Sequence, residues 1–320
     1  MNQTFMKEKK ILPLVLSMSL PMVLSMLVNS LYNIIDSYFV AKISENAMTA
    51  LSLVYPLQIL INAVAVGLGI GLNTAASFYL GAQNHEKADD AASLGMVLSV
   101  IHGLVLTFIC ILIVPSFLHL FTQDEAIISY ALTYSYIVFA FTTPITISIA
   151  MEKVFQAEGQ MVITMTTMLC GCITNIILDP IFIFGLGPVP EMGIAGAAWA
   201  TGIGQIVPMV LYFIIYLKKP LPLRLRIRKG MFDRKLYGRI YGVGIPAALN
   251  MALPSLMITA LNGILASFSA VYVLVLGIYY KLQTFIYLTA NGIVQGIRPI
   301  VGYNYGAGEY KRVKKVFQTA

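Results

Sequence analysis

An all-helical membrane protein built as two lobes is the fold class predicted by three observations. The chain of 320 residues is 58% hydrophobic and only 11% charged, its apolar residues gather into long runs, and it repeats itself at a spacing of 225 positions. Soluble domains carry roughly 25% charged residues, so this composition excludes an ordinary water-soluble domain. A hydrocarbon layer of about 30 Å takes about 20 helical residues to cross. Runs of that length fall at about 11–40, 47–79, 93–118, 127–150, 160–187, 193–217, 239–265 and 271–300, and a ninth span is due to begin where the chain stops. The Met1–Lys10 start lacks the small-residue cleavage site of a secretory signal, so the first run should stay as a helix.

Charge fixes the direction of each span. Lys7, Lys9 and Lys10, then Lys87, Lys153, the block from Lys218 to Arg239, and Lys311 to Lys315 all fall on one set of alternate connections. The opposite set holds only Lys42, while Lys281 and Arg298 lie within the eighth span. By the positive-inside rule the N-terminus and the basic connections are cytoplasmic. The net charge of +7 is then a topology signal, and nucleic-acid binding is not needed to explain it. Three organisational units follow: residues 1–217 as a first lobe of six helices, 218–238 as a basic inter-lobe loop, and 239–320 as part of a second lobe.

The repeat sets how the lobes are related. Without a gap, a shift of 225 matches Pro21 with Pro246, Met26 with Met251, Tyr55 with Tyr280, Leu57-Gln58 with Leu282-Gln283, Gly67 with Gly292, Gly71 with Gly296, and Gly81-Ala82 with Gly306-Ala307. Spans one and two are thus copies of spans seven and eight. Six spans separate them, an even number, so both copies run the same way: a parallel repeat about an axis along the membrane normal. A second lobe of equal size would extend to about residue 442, so the chain reads as C-terminally truncated. Gly67-x-x-x-Gly71 and Gly292-x-x-x-Gly296 read as packing motifs that let helix backbones approach closely.

Ionisable groups inside the apolar runs carry the functional argument. An aspartate near the bilayer centre costs about 2.5–3.5 kcal/mol on insertion scales, so each one calls for a pathway, an ion or a partner. In the fifth span Asn175 and Asp179 share a helix face at i, i+4, and Pro180 removes the donor for the Ile176 carbonyl. In the first span Asn29, Asn33 and Asp36 form a polar stripe. Both spans start inside, so Asp36 and Asp179 should lie at similar depth toward the outer face, where two neighbouring carboxyls cannot both ionise freely. Lys281 either lines a second-lobe cavity or snorkels, and Arg298 is expected to reach head groups. Gln58, Gln283 and Asn33 complete the candidate cavity residues. Cys110, Cys170 and Cys172 lie in apolar runs, and His85, His102 and His119 have no metal-ligand spacing, so nothing supports a zinc site, a hydrolase centre or any enzyme.

Taken with Gly196-Ala-Ala-Trp-Ala-Thr201, Leu31-Tyr-Asn-Ile-Ile-Asp36 and Tyr303-Asn-Tyr-Gly-Ala307, the Asn175–Phe184 segment resembles the multidrug and toxic compound extrusion (MATE) family, in its DinF/MepA branch. That resemblance runs over the whole chain. It implies twelve helices in two six-helix lobes and a monomeric antiporter of the bacterial cytoplasmic membrane that exports lipophilic organic cations in exchange for H⁺ or Na⁺, with no cofactor. It further implies an ion-coupling set of Asp36, Asn175, Asp179 and Thr201, which would be the metal ligands if the ion is Na⁺. The acidic seventh-helix residue of the NorM branch is absent from Gly244–Pro254. Two alternatives stand beside this: a flippase for lipid-linked oligosaccharides, which would want more deep cationic side chains than Lys281, and a fragment that transports nothing.

Overall fold

A computed structural model describes residues 4–219, 221–266 and 270–320, with the side chains of Lys229 and of most residues between 255 and 285 outside that description. In chain order the elements are α1 (Phe5–Glu8), α2 (Ile11–Ala41), α3 (Glu45–Gly81), α4 (His85–His119), α5 (Glu125–Ala140), α6 (Thr142–Ala157), α7 (Met161–Phe184), α8 (Ile194–Lys218), a 3-10 turn (Lys229–Phe232), α9 (Arg234–Ala266), α10 (Ala270–Gly306) and α11 (Tyr310–Thr319). Among the described residues α2, α3, α4, α7 and α8 are each long and apolar enough to cross a membrane, and α5 with α6 makes one further span bent by 45°. Helix starts follow capping chemistry: Ser44 accepts from the Ala47 N–H, Asn84 from Lys87, and Asp124 from Ala126 and Ile127.

The bend has a local cause. Pro144 has no N–H for the Ala140 carbonyl, and α5 ends at Ala140. The fourth span then continues to Ala157, beyond the 127–150 run, and takes Lys153 with it. Lys153 is 2% exposed, inside the bundle, so its expected place in a connection is corrected. α1 and the connections at 82–84, 158–160, 219–233 and 307–309 lie at one end of the bundle, called the basic end here; the turns at 42–44, 120–124 and 185–193 lie at the other.

Helices α2 and α10 pack together, as do α3 and α9, and the 225-residue shift exchanges these two pairs. The contacts obey the same exchange. A Cβ on Gly81 would run into the Tyr303 carbonyl and one on Gly306 into the Phe78 carbonyl, and Phe78 is the repeat equivalent of Tyr303. Near Gly67 a Cβ would lie 2.6 Å from Ala248 Cβ, and near Gly292 2.5 Å from Val23 Cα; Val23 and Ala248 are equivalents. A Cβ on Gly302 would lie 2.9 Å from Cβ of Ser77, its own equivalent, so the pseudo-twofold axis passes between them toward the basic end. The paired glycine motifs hold the lobes in backbone contact, which lipid alone would not drive.

The inter-lobe segment is fastened to the first lobe. Successive backbone N–H groups donate to side chains: Leu223 to Glu158 Oε1 at 2.7 Å, Arg224 to Asp89 at 2.8 Å, Leu225 to the Tyr216 hydroxyl at 2.7 Å and Arg226 to Ser93 at 2.9 Å. Arg228 adds ion pairs to Asp90 at 2.8 Å and Glu86 at 3.1 Å. Burial pushes the Glu158 carboxyl up to about 7, partly offset by the Leu223 bond and by Lys219. A strap therefore covers the basic end of α4, α6 and α8.

Candidate functional site

α7 and α8 make the wall of the site, and small residues explain how closely they run. Gly171 lies against Pro208 and the Gly204 carbonyl, and Gly204 lies against Asn175 Cβ. At the far end Gly185, with φ of +70°, stops α7 in the left-handed region that glycine tolerates. The chain then turns back, with Met192 N donating to the Phe182 carbonyl at 3.0 Å and Gly193 N to Ile183 at 3.1 Å. This short hairpin brings the first turns of α8 alongside Asn175.

Asp179 is fully buried and Asn175 is 2% exposed. The amide donates to Asp179 Oδ1 at 3.3 Å. In the orientation that satisfies both ends, Asn175 Nδ2 reaches Asp179 Oδ2 at 3.2 Å and its oxygen accepts from the Thr201 N–H at 3.2 Å. Asn175 is thus the link between the carboxylate on α7 and the start of α8. Asp36, 9% exposed on α2, lies with its carboxyl close to that of Asp179. Each aspartate stands five residues from the end of its helix opposite the basic end, about 8 Å in. Their depths agree as the topology predicts.

Two facing carboxyls in a dry setting are compatible only when a proton or a cation lies between them. Oxygen atoms are available for either. Asp36 Oδ1 and Thr201 Oγ1 are buried without a hydrogen-bond partner among the described residues. Carboxylate, amide and hydroxyl oxygens form a hard donor set, suited to H⁺ or Na⁺ and poorly suited to a soft transition metal.

The site also contains residues that sequence reasoning passed over. Tyr134 on α5 is 2% exposed, its hydroxyl accepts from Gln58 Nε2 at 3.3 Å, and it faces the Thr201 side chain. Tyr32, one turn before Asp36, is electrostatically close to both aspartates. Nothing in the sequence separates these tyrosines from packing residues, except that Tyr32 lies on the face of Asp36. Gln58 is therefore a neighbour of the carboxyl cluster. Asn33 is exposed and turns its amide back to the Asn29 carbonyl at 2.7 Å, away from the cluster. Gln283 lies on α10, on the second lobe, with its Oε1 buried and unpartnered among the described residues, and Lys281 lies outside the described side chains.

A two-lobed helical bundle with a paired carboxyl cluster in one lobe has the architecture of parallel-repeat membrane transporters. The MatE family model matches residues 21–181 and 246–320, and the chain belongs to that family. It is 27% identical to the multidrug export protein MepA of Staphylococcus haemolyticus over 302 residues, 94% of this chain and 66% of that protein. It is also 27% identical to MepA of Staphylococcus aureus strain N315 over 322 residues, 98% of this chain and 69% of that protein. The chain thus spans about two thirds of the length of these curated relatives. Among solved structures, a transporter of the MOP superfamily from Pyrococcus furiosus aligns with a TM-score of 0.92 at 23% identity, and a MATE transporter in complex with MaD5 with 0.93 at 24%. They cover all of this chain and 70% and 72% of those chains.

Proposed function

We propose that the chain is the greater part of a cation-coupled multidrug exporter in which Asp36, Asn175, Asp179 and Thr201 bind the driving H⁺ or Na⁺. One observation carries the reading: carboxyls from two different helices, α2 and α7, meet in a buried site whose remaining oxygens are unsatisfied. Such a pair gains by taking up one positive charge and repels itself when that charge leaves. Because Asp36 belongs to α2, which also packs on α10, loading the site can bias how α2 sits between the lobes. Rocking of the lobes about the repeat axis then couples ion entry to substrate release on the outer side. The exported compounds would be organic cations that compete for the same negative charge, as the multidrug export relatives suggest.

The test is efflux of a fluorescent cation from membrane vesicles containing the full-length gene product, driven by a proton gradient or a sodium gradient in turn. Asp36→Asn and Asp179→Asn should each reduce efflux to background at unchanged expression. Undiminished efflux in both variants would remove the assignment. The gradient that drives the unmodified protein names the ion.

A further inference from the structure

A second charged cluster lies toward the basic end, outside the site above. On α6 the Lys153 ammonium has three protons and three acceptors: Glu152 Oε1 at 2.7 Å, Gln156 Oε1 at 3.1 Å and Gln295 Oε1 at 3.1 Å. The first two acceptors belong to its own helix. The third comes from α10, on the other lobe. Gln156 Nε2 donates to Glu152 at 2.6 Å and toward Met22 sulfur at 3.4 Å, and Gln295 Nε2 points to Met26 sulfur at 3.8 Å. Asn73 holds the Lys153 backbone carbonyl at 3.0 Å, and Gly69 leaves room for its stem, since a Cβ there would lie 2.8 Å from Lys153 Cγ. Four helices, α2, α3, α6 and α10, converge on this cluster.

We propose that the Lys153–Gln295 bond is a clasp that holds the two lobes closed at the basic end, the cytoplasmic side by the charge distribution. α6 and α10 pack against each other only slightly, so this bond is a point of attachment and is not a by-product of a broad interface. Nor does the repeat require it, because the equivalent of Gln295 in the first lobe is the apolar Ile70. The closest backbone approaches between lobes, Gly81 on Tyr303 and Gly306 on Phe78, lie at this same end, so the structure is closed there. When α10 recedes, the third ammonium proton loses its partner in a dry place, and opening stays unfavourable until water enters. A buried hydrogen bond to a charged group is worth about tenfold or more in such an equilibrium. Arg298, one turn past Gln295 and electrostatically close to Glu152, has its Nη1 unpartnered among the described residues, so the α10 side of the seam has a cation in reserve.

The proposal rests on the transporter reading only for the rocking of the lobes, and its test measures conformation without transport. Spin labels at the exposed positions His85 and Lys314 report the distance between lobes at the basic end of the full-length protein in nanodiscs. Gln295→Leu should raise the open population about tenfold. Gln295→Glu, which gives Lys153 and Arg298 a carboxylate, should lower it. Opposite shifts from two changes at one position separate a clasp from general loosening of the fold. An unchanged distance distribution in Gln295→Leu, or opening in Gln295→Glu, overturns the clasp. Asp36→Asn can fail to transport with the clasp result intact, which keeps the two readings apart.

Discussion

The carboxyl cluster and the lysine clasp are both buried and charged, and they are built to opposite rules. Around Lys153 each proton of the ammonium has an oxygen, and Glu152 neutralises it at 2.7 Å. Around Asp179 the nearest charge has the same sign, and Asp36 Oδ1 and Thr201 Oγ1 are left unsatisfied. A fully satisfied polar network fixes one arrangement, whereas a partly satisfied one leaves a place for something to bind. The difference teaches where to look for stability and where for function. Removing charge at the clasp should damage the fold, and removing it at the carboxyl pair should damage only the activity.

The largest expected effect is at the clasp. Lys153→Met keeps the length and burial of the side chain but strands the Glu152 carboxylate and two glutamine oxygens. Breaking a buried pair from one side costs about 3–5 kcal/mol, so the thermal midpoint in detergent should fall by about 4–7 °C. A midpoint within a degree of the parent protein would erase the contrast. Next comes Asp36→Asn, which relieves like-charge repulsion against Asp179. It should raise the midpoint by about 1–2 °C, for about 1 kcal/mol, while efflux falls to background. If this variant is instead strongly destabilised, the two clusters are the same kind of object.

Much of this contrast was legible beforehand, and its limits are physical. Asp36 and Asp179 stood out because a carboxylate in an apolar run is costly, and their common depth followed from counting residues along spans of known direction. The repeat was visible because backbone-to-backbone contacts admit only glycine, so Gly81 and Gly306 mark symmetric places in the chain. Lys153 was misplaced because a cation near the end of an apolar run has the same signature whether it faces water or curls into the bundle. Pro144 is the sign of its burial: a break at Ala140 lets the span run on to Ala157, so that Lys153 lies inside it. Tyr134 left no trace, since tyrosines pack ordinary helix interfaces and only the fold brings this one to Thr201. Arg298 was expected to reach head groups, and instead its Nη1 is buried beside the clasp.

A smaller effect sharpens the carboxyl side. Tyr134→Phe removes the hydroxyl that accepts from Gln58 beside Thr201 without altering volume. The lost interaction is worth about 0.5–1.5 kcal/mol, so the ion concentration giving half-maximal efflux should rise about three- to tenfold while the maximal rate holds. A change confined to the maximal rate would place Tyr134 in the path of the substrate and outside the ion site.

The last effect concerns the strap, which has a buried carboxyl like the first cluster and fastens one part of the fold to another like the second. Glu158 accepts from Leu223, yet its Oε2 is buried and unpartnered. Its pKa stands at about 7 with the strap in place, against an ordinary value of 4.5. The attached state therefore binds more protons than the detached state between those two values. By linkage, attachment is strongest below about 4.5, weakens by at most about tenfold per pH unit as pH rises toward 7, and is flat above it. Hydrogen exchange at the Leu223 amide, corrected for its intrinsic rate, should lose protection across that window in the parent protein. In Glu158→Gln, which keeps an acceptor oxygen but does not titrate, protection should be level. Protection that rises with pH would mean that the charge-assisted bond to Leu223 outweighs the burial of the carboxylate. Glu158 would then belong with Lys153, among the charges that hold the fold, and not with Asp179.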